Sequence, residues 1–485
     1  MSDSRGVSLK LMSHIQRIID IQSKIIYFLL SVIVAFVLSF LLYDPELNQA
    51  QLYVLFLLFL AIGLWVTEAI PPFAVGLLVF GFLVFAMSNH YSHIDPENVS
   101  QYYQKYVNSW SNSVIWLMLG GFFMAESMKK TELDRVVFKI SISKFGTTPK
   151  YILLGLMLTT ALFSMLMSNT ATTAMMIASV LPFLTQLGDD SPFAKAILLG
   201  IPGAASIGGM GTLIGSPPNA IAVEALINQG YNIGFLEWMM VGFPVSIILT
   251  LLLWFFLIKK FVPKVKSLDI DLNKITSENS NVEDQKLFKI KKNVVLIVLG
   301  ITLLLWLTEK LHSIPASVVS LLPIILLTMS GIIKADDVRS LPWDTLMLVA
   351  GGLALGMAIK ETGLAEYYIN KLGDYEINFY AILLFFGFLT VILSNVMSNT
   401  ATATILIPIG IILTYKNPVM LPVVIGLCAS TALFLPISTP PNAIAYSTGK
   451  LEQKDFRFGG LLMGLLGPII IVGFTILVFT YLYTI

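Results

Sequence analysis

Met167-Ser168-Asn169-Thr170-Ala171-Thr172 returns 230 residues later as Met397-Ser398-Asn399-Thr400-Ala401-Thr402. Each copy interrupts a long apolar stretch, Tyr151–Leu187 in one case and Asn378–Tyr415 in the other. Three further matches fall around them in the same order. Leu64-Trp65-Val66-Thr67-Glu68 returns as Leu305-Trp306-Leu307-Thr308-Glu309. Gly120-Gly121 with Thr131-Glu132-Leu133 returns as Gly351-Gly352 with Thr362-Gly363-Leu364. Pro217-Pro218-Asn219-Ala220-Ile221-Ala222 returns as Pro440-Pro441-Asn442-Ala443-Ile444-Ala445. Chance likeness between apolar helices would not keep Ser-Asn-Thr and Pro-Pro-Asn in sequence order, so the chain carries a duplicated unit of about 200 residues.

The solvent of this fold is lipid. Of 485 residues 56% are hydrophobic and 12% charged, about half the usual charge of a soluble protein, and the mean hydropathy is +0.82. Apolar runs close to spanning length recur, among them Ile25–Tyr43, Gln51–Thr67 and Asn293–Thr308. A net charge of +1 gives no electrostatic case for nucleic acid. The single cysteine, Cys428, excludes a disulfide framework within the chain and reads as a small core residue. Residues 1–24 are polar and basic (Arg5, Lys10, Arg17, Lys24), and no small-residue cleavage site follows, which predicts an uncleaved first membrane helix.

Charge placement gives an orientation. Basic residues crowd the N-terminus, the segment Lys129–Lys150 (Lys129, Lys130, Arg135, Lys139, Lys144, Lys150), the polar linker Lys259–Lys292 and Lys450–Arg457. With these in the cytoplasm, the N-terminus is cytoplasmic and the C-terminus extracytoplasmic. The two copies then have opposite topology, an arrangement of secondary transporters whose binding site lies where the repeats meet. The expected fold is an all-α integral membrane protein of about 11 transmembrane helices in two inverted repeats. Each repeat holds a re-entrant hairpin and a broken helix. The expected division is 1–44 (N-terminal segment and first helix), 45–258 (first repeat: scaffold 45–150, transport part 151–258), linker 259–292, and 293–485 (second repeat: scaffold 293–377, transport part 378–485).

Hydropathy leaves Tyr151–Leu187 and Asn378–Tyr415 open between two spans and one hairpin. Their polar centres favour hairpins, because non-helical backbone at membrane depth has to be buried in protein or line a cavity. A helix that ends at such a tip exposes free carbonyls, and one that starts there exposes free amides. The amides and the positive helix end suit a carboxylate, whereas carbonyls, hydroxyls and an Asn oxygen suit a hard cation such as sodium. Interhelical hydrogen bonding alone explains one such motif better than a matched pair. The consecutive prolines of Gly208–Asn219 and Leu435–Asn442 cannot continue a helix; they predict unwound stretches that free the hydroxyls of Ser216, Ser438 and Thr439. The glycines of the first stretch are not a phosphate loop, since no Gly-Lys-Ser/Thr follows.

No Lys or Arg occurs in Ala196–Ile258 or Ala381–Tyr415. An anion at the tips therefore finds no counter-charge in its own segments, and bound cations are the expected substitute. Glu68, Glu126, Glu309 and Asp344 lie near membrane segments and are functional candidates by default. For Glu68 and Glu309, beside Trp65 and Trp306 at helix ends, interfacial anchoring is the favoured reading. His14, His90, His93 and His312 lack the spacing of a metal site. No His falls in an apolar segment and no Gly-x-Gly-Asp occurs, which argues against an intramembrane protease or any other enzyme. A channel fits duplicated broken helices less well than a gated, occluded site does.

With paired Ser-Asn-Thr and paired Pro-Pro-Asn motifs, the chain resembles the divalent anion/sodium symporter family over roughly residues 25–485. The resemblance implies a sodium-coupled carrier of C4 dicarboxylates of the succinate, fumarate and malate type. It also implies a homodimer in the bilayer whose transport domains move like elevators, with no cofactor beyond sodium as coupling ion. Exchange without sodium, or transport of citrate, sulfate or another oxyanion, is the alternative within the same class. By that similarity Asn169, Thr170, Asn399, Thr400, Thr439 and Pro440 contact substrate. One sodium sits with Ser164, Ser168, Asn169 and the backbone near Gly215. The other sits with Ser394, Asn399 and the backbone of Met397 and near Ser438. The departures are Ser394, where the family often has Thr, and Met397 in place of a smaller residue.

Overall fold

The computed structural model of the protein describes residues 2–133, 148–187, 191–231, 233–262, 282–372, 378–414 and 419–482. The basic residues Arg135, Lys139 and Lys144 and linker residues 263–281 lie outside them, as do the side chains of Arg5, Lys10, Arg17 and His14. The described chain is helical. Eight of its helices are long and apolar enough to cross a membrane, and five shorter apolar stretches accompany them.

Contacts divide the chain into two compact units. The first comprises Met1–Trp110 with Met347–Asp374. It contains α1 (Ser2–Leu41), α2 (Gln49–Thr67), α3 (Pro72–Ser92) and α4 (Val99–Val107), each packed on the next. Asn48 starts α2 with a capping box: its side chain accepts from the Gln51 amide at 2.9 Å, and Gln51 accepts from the Asn48 amide at 2.9 Å. Glu68 ends it in the left-handed conformation, φ 48°.

The second unit, Ser111–Leu346 with Tyr375–Ile485, begins with α5 (Ser113–Lys130). The first apolar centre follows as α6 (Pro149–Ser164) and α7 (Asn169–Leu187), two helices broken at the Ser-Asn-Thr tip. Next comes α8 (Pro192–Gly208), a short 3₁₀ turn, an unwound stretch, and then α9 (Pro217–Asn228). The long α10 (Phe235–Phe261) and α11 (Val282–Leu307) close the first half and open the second. Four short helices follow: α12 (Glu309–His312), α13 (Ala316–Val319), α14 (Leu321–Met329) and α15 (Ala335–Arg339). Next are α16 (Trp343–Glu361), whose chain passes between the units, and α17 (Leu364–Leu372). The second centre repeats the first: α18 (Phe379–Ser394), a tip, α19 (Asn399–Leu413), α20 (Met420–Cys428), an unwound stretch and α21 (Pro440–Tyr446), before α22 (Gln453–Leu482).

The repeated motifs have local structural jobs. In both Leu-Trp-x-Thr-Glu copies the indole ties a helix end to the start of a helix that follows it. Trp65 Nε1 donates to the Pro72 carbonyl at 3.2 Å and Trp306 Nε1 to the Ala316 carbonyl at 2.9 Å. The Thr hydroxyls bond back to Gly63 and Leu304 carbonyls. The Gly-Gly copies are crossing points. A Cβ on Gly120 would stand 2.6 Å from Ser320 Cβ, and one on Gly351 2.3 Å from Gly76 Cα. Only glycine permits those backbones to approach so closely.

Within the second unit, α8 forms the interior: 89% of its apolar window is buried, against 22% for α11. Each proline-started half-helix leans on the opposite copy, α9 against α19 and α20, and α21 against α7 and α8. Cys428 is fully buried, in line with a packing role.

Candidate functional site

Both tips and both unwound stretches meet at one cavity of ≈ 590 Å³ inside the second unit. Ser168, Asn169 and Thr170 line it from the first tip, and Ser398, Asn399 and Thr400 from the second. Gly215, Ser216 and Pro217 contribute from the first break, and Ser438, Thr439 and Pro440 from the second. Of the residues singled out in the sequence, Ser164, Ser394 and Met397 stay behind this surface, fully or almost fully buried.

Local chemistry explains why the helices restart there. Ser168 Oγ accepts the Ala171 amide at 3.2 Å and Ser398 Oγ the Ala401 amide at 3.1 Å, so each motif serine caps the arm that follows. Thr439 Oγ1 accepts the Asn442 amide at 3.3 Å in the same way. Prolines occupy the first helical turn of α9 and α21, where a missing N–H costs nothing. The N-terminal turns of α7, α9 and α19 therefore line the cavity. Each such end favours an anion by about 0.3–2 kcal/mol.

The Pro-Pro-Asn asparagines do not line the cavity. Asn219 Nδ2 donates to the Gly209 carbonyl at 2.9 Å and the Thr212 carbonyl at 2.7 Å. Asn442 Nδ2 donates to Leu433 at 3.4 Å and Leu435 at 3.0 Å. Each amide thus bonds carbonyls of the unwound stretch before its helix and holds that backbone in place. Trp238 Nε1 adds a bond to the Met210 carbonyl at 2.9 Å.

Behind the first tip, the Asn169 side-chain oxygen faces acceptors and its nitrogen faces donors. With the nitrogen turned to those acceptors the amide donates to Ser164 Oγ at 2.6 Å, the Ala205 carbonyl at 3.1 Å and the Gly215 carbonyl at 3.3 Å. Ser164 Oγ itself donates to the Ala205 carbonyl at 2.6 Å. With the amide oxygen turned in, the same atoms form a set of oxygen donors around one point, the chemistry of a hard cation site. Behind the second tip, Ser394 Oγ and Asn399 Oδ1 are buried and have no hydrogen-bond partner. Each such atom costs on the order of 1–3 kcal/mol, a penalty that a bound cation removes. Sodium fits both sets on donor chemistry.

The other wall comes from α5 and the segment before and into α16: Phe122, Ala125, Glu126, Lys129, Ser340–Pro342, Asp344 and Thr345. Glu126 and Asp344, flagged by their acidity, both reach the cavity. The tip segments hold no base, as the sequence shows, but the fold brings in Lys129 from α5. Its ammonium lies 3.4 Å from Glu126 Oε2, so much of its charge is already answered. Glu224, buried on α9, accepts from Asn112 Nδ2 on the residue that caps α5; nothing in the sequence pattern pairs these two.

A smaller cavity of ≈ 400 Å³ holds Glu237, Glu309, Lys310 and Trp306. Lys310 pairs with Glu237 at 2.5 Å. Burial, and the Glu237 carboxylate close by, hold Glu309 above the ordinary carboxylate range against an opposing backbone bond from Ala316.

Residues 62–416 match the family model described as citrate transporter, CitMHS. The chain belongs to that family. The CitMHS chain is 33% identical over 472 residues to the sodium-dependent dicarboxylate transporter SdcS of Staphylococcus saprophyticus, covering 90% of this chain and 88% of the relative. SdcS of Staphylococcus aureus is 32% identical over 470 residues, with the same coverage. Among solved structures, MtrF of Neisseria gonorrhoeae superposes with a TM-score of 0.56 at 13% identity, covering 84% of this chain and 94% of that one. The YdaH transporter of Alcanivorax borkumensis gives 0.54 at 13% identity, covering 85% and 98%. These two likenesses concern the fold alone. The relatives bear out the resemblance to divalent anion/sodium symporters that the motifs carry. The CitMHS chain is a multi-pass membrane transporter and not an enzyme.

Proposed function

We propose that this transporter moves C4 dicarboxylates together with sodium, and that the ≈ 590 Å³ cavity is its substrate site. One observation carries the reading: both Ser-Asn-Thr tips, with three helix N-termini, line a single cavity, and each tip has an oxygen cluster behind it. Asn169, Thr170, Asn399, Thr400, Thr439 and Pro440 receive the carboxylates. Ser164, Ser168, Asn169 and the Gly215 backbone hold one sodium; Ser394, Asn399 and the backbones of Met397 and Ser438 hold the other. Magnitudes favour cations over helix ends as the counter-charge. Three N-termini offer a few kcal/mol in all, whereas desolvating even one carboxylate costs several kcal/mol. The relatives' description as sodium-dependent dicarboxylate transporters supports the same pairing.

Two sites that share one asparagine each with the substrate couple cation and anion loading. Residues 151–261 and 378–485 then move as a rigid body against the remainder, in a homodimer, to alternate access. The N-terminus faces the cytoplasm and the C-terminus the opposite side. A second reading, citrate in place of a C4 acid, is favoured by the description of the family model.

The test is radiolabelled succinate uptake into proteoliposomes with an inward sodium gradient, with potassium instead, and with vesicles preloaded with unlabelled succinate. Uptake that requires sodium is expected. Uptake that requires only internal succinate overturns symport in favour of exchange, and competition by citrate but not by fumarate or malate overturns the C4 assignment.

A further inference from the structure

At the end of its first arm the second hairpin carries a polar residue that the first lacks. Asn395 follows Ser394 at the end of α18; the aligned position of the first copy is Met165. Asn395 Nδ2 donates to the Val391 carbonyl at 2.8 Å, which fixes the side chain on its own helix end. Its Oδ1 accepts two bonds, from the Phe434 amide at 2.9 Å and from Ser438 Oγ at 2.7 Å. Ser438 Oγ accepts the Leu435 amide at 2.9 Å. One amide thus ties the end of the hairpin arm to both ends of the unwound stretch 434–438.

In the first copy the same two chain segments are joined from the other side. Thr212, on the unwound stretch, donates to the Met165 carbonyl and accepts the Gly215 amide at 3.1 Å. The duplicated fold therefore makes the tie twice, with a threonine on the break in one copy and an asparagine on the arm in the other.

We propose that Asn395 is a positioning residue for the cation site behind the second tip. This rests on the sodium reading above. Asn395 is not itself a ligand: its oxygen is occupied by two donors and its nitrogen by a carbonyl. It stands between the two ends of the site, next in sequence to the unpartnered Ser394 hydroxyl and bonded to Ser438. It also occupies the proton of Ser438, so that the backbone of 434–438 is held by a side chain whose only other attachment is the helix that carries Ser394. Partners of this kind fix ligand geometry, and their loss lowers metal affinity by about 10–100-fold.

The experiment compares wild type, Asn395→Leu, Asn395→Asp and Ser438→Ala in proteoliposomes. It measures the half-saturating sodium at saturating succinate, the succinate KM at saturating sodium, and the maximal rate with both saturating. It also measures the sodium-induced rise in melting temperature in detergent. For Asn395→Leu the half-saturating sodium rises about tenfold or more, with a proportionally smaller change in maximal rate, and the sodium-induced melting shift shrinks. Asn395→Asp keeps both acceptor bonds and restores most of the sodium affinity. Ser438→Ala, which removes one of the two bonds, falls between. An unchanged half-saturating sodium in Asn395→Leu, with wild type sodium-dependent, overturns the positioning role and leaves the symport reading intact. If Asn395→Leu does not fold, the remaining two variants decide: a sodium response in Ser438→Ala equal to wild type overturns the proposal. A wild type that responds to sodium in neither uptake nor melting overturns both readings.

Discussion

The two hairpin tips share the sequence Met-Ser-Asn-Thr-Ala-Thr, yet they use their oxygens differently. Behind the first, Ser164, Asn169, Ala205 and Gly215 satisfy one another in a closed set. Behind the second, Ser394 and Asn399 each keep a buried oxygen without a partner. The first break is built of glycines and braced by Thr212; the second has side chains in their place and is braced by Asn395. Identical motifs therefore do not make equivalent sites. With its asparagine nitrogen turned to those acceptors, the first has to open its own bonds to accept a cation, whereas the second gains contacts that it otherwise lacks.

The comparison breaks most readily at the shared asparagines. Asn169→Ala and Asn399→Ala each remove a group that serves cation and substrate together. Two charge-assisted contacts of 1.5–3 kcal/mol translate into a loss of initial uptake of at least about 100-fold, in protein that still elutes as the folded species. Full uptake by either variant would remove that residue from the site. A smaller and oppositely signed pair of effects sharpens the difference. Without sodium, Ser164→Ala lowers the melting temperature by an amount equivalent to about 1 kcal/mol, because hydrogen bonds are lost. Ser394→Ala leaves it unchanged or raises it, because an unsatisfied oxygen is removed. With sodium added, wild type gains stability that Ser394→Ala does not. Equal melting behaviour of the two variants in both conditions would erase the distinction between the tips.

The clamps behind the prolines come next. Asn219→Ala loses two bonds of 2.7 and 2.9 Å, Asn442→Ala two of 3.0 and 3.4 Å. Both destabilise, the first more, by about 1–3 kcal/mol in chemical or thermal unfolding. The reverse order would show that the second break depends on its clamp more than its longer bonds indicate. The smallest effect lies away from the cavity, at Glu309. Its folded-state affinity for a proton exceeds the ordinary carboxylate value, so the folded form binds more protons than the unfolded form. Stability contributed by this group is full below the ordinary carboxylate pKa and declines as pH rises above it. Glu309→Gln flattens that decline, read as a weaker fall in melting temperature between pH 4.5 and 7, with little change at the acid end.

Much of this was legible because it was duplicated. The match between the two halves of the chain marks the tips, the breaks and the Trp-bearing helix ends. Asn395 escaped because its counterpart is Met165, so the repeat that exposed its neighbours hid it. Lys129 and the wall residues around Asp344 escaped for a different reason: they lie far from the tips in sequence, and only tertiary packing brings them to the cavity. Helix α11 begins at Val282, eleven residues before the apolar run that announces it, because Lys and Glu are good helix formers outside lipid and hydropathy is blind to them. The prolines predict an unwound stretch that includes Asn219 and Asn442, whereas both lie in the first turn of a helix, and their use as clamps follows only from where their amides point.

The crossing of α9 onto α19 and of α21 onto α7 bears on the assembly of the molecule as well as its working. Neither half is a finished object. Taken alone, each would offer a proline-started stub with nothing to lie against and an arm with one bare flank. Either half by itself would need a second chain to complete it, and a single chain that carries both supplies the two in a fixed ratio of one to one. Each half can vary only so far as the other still fits it, and within that limit one tip is braced by a threonine and the other by an asparagine.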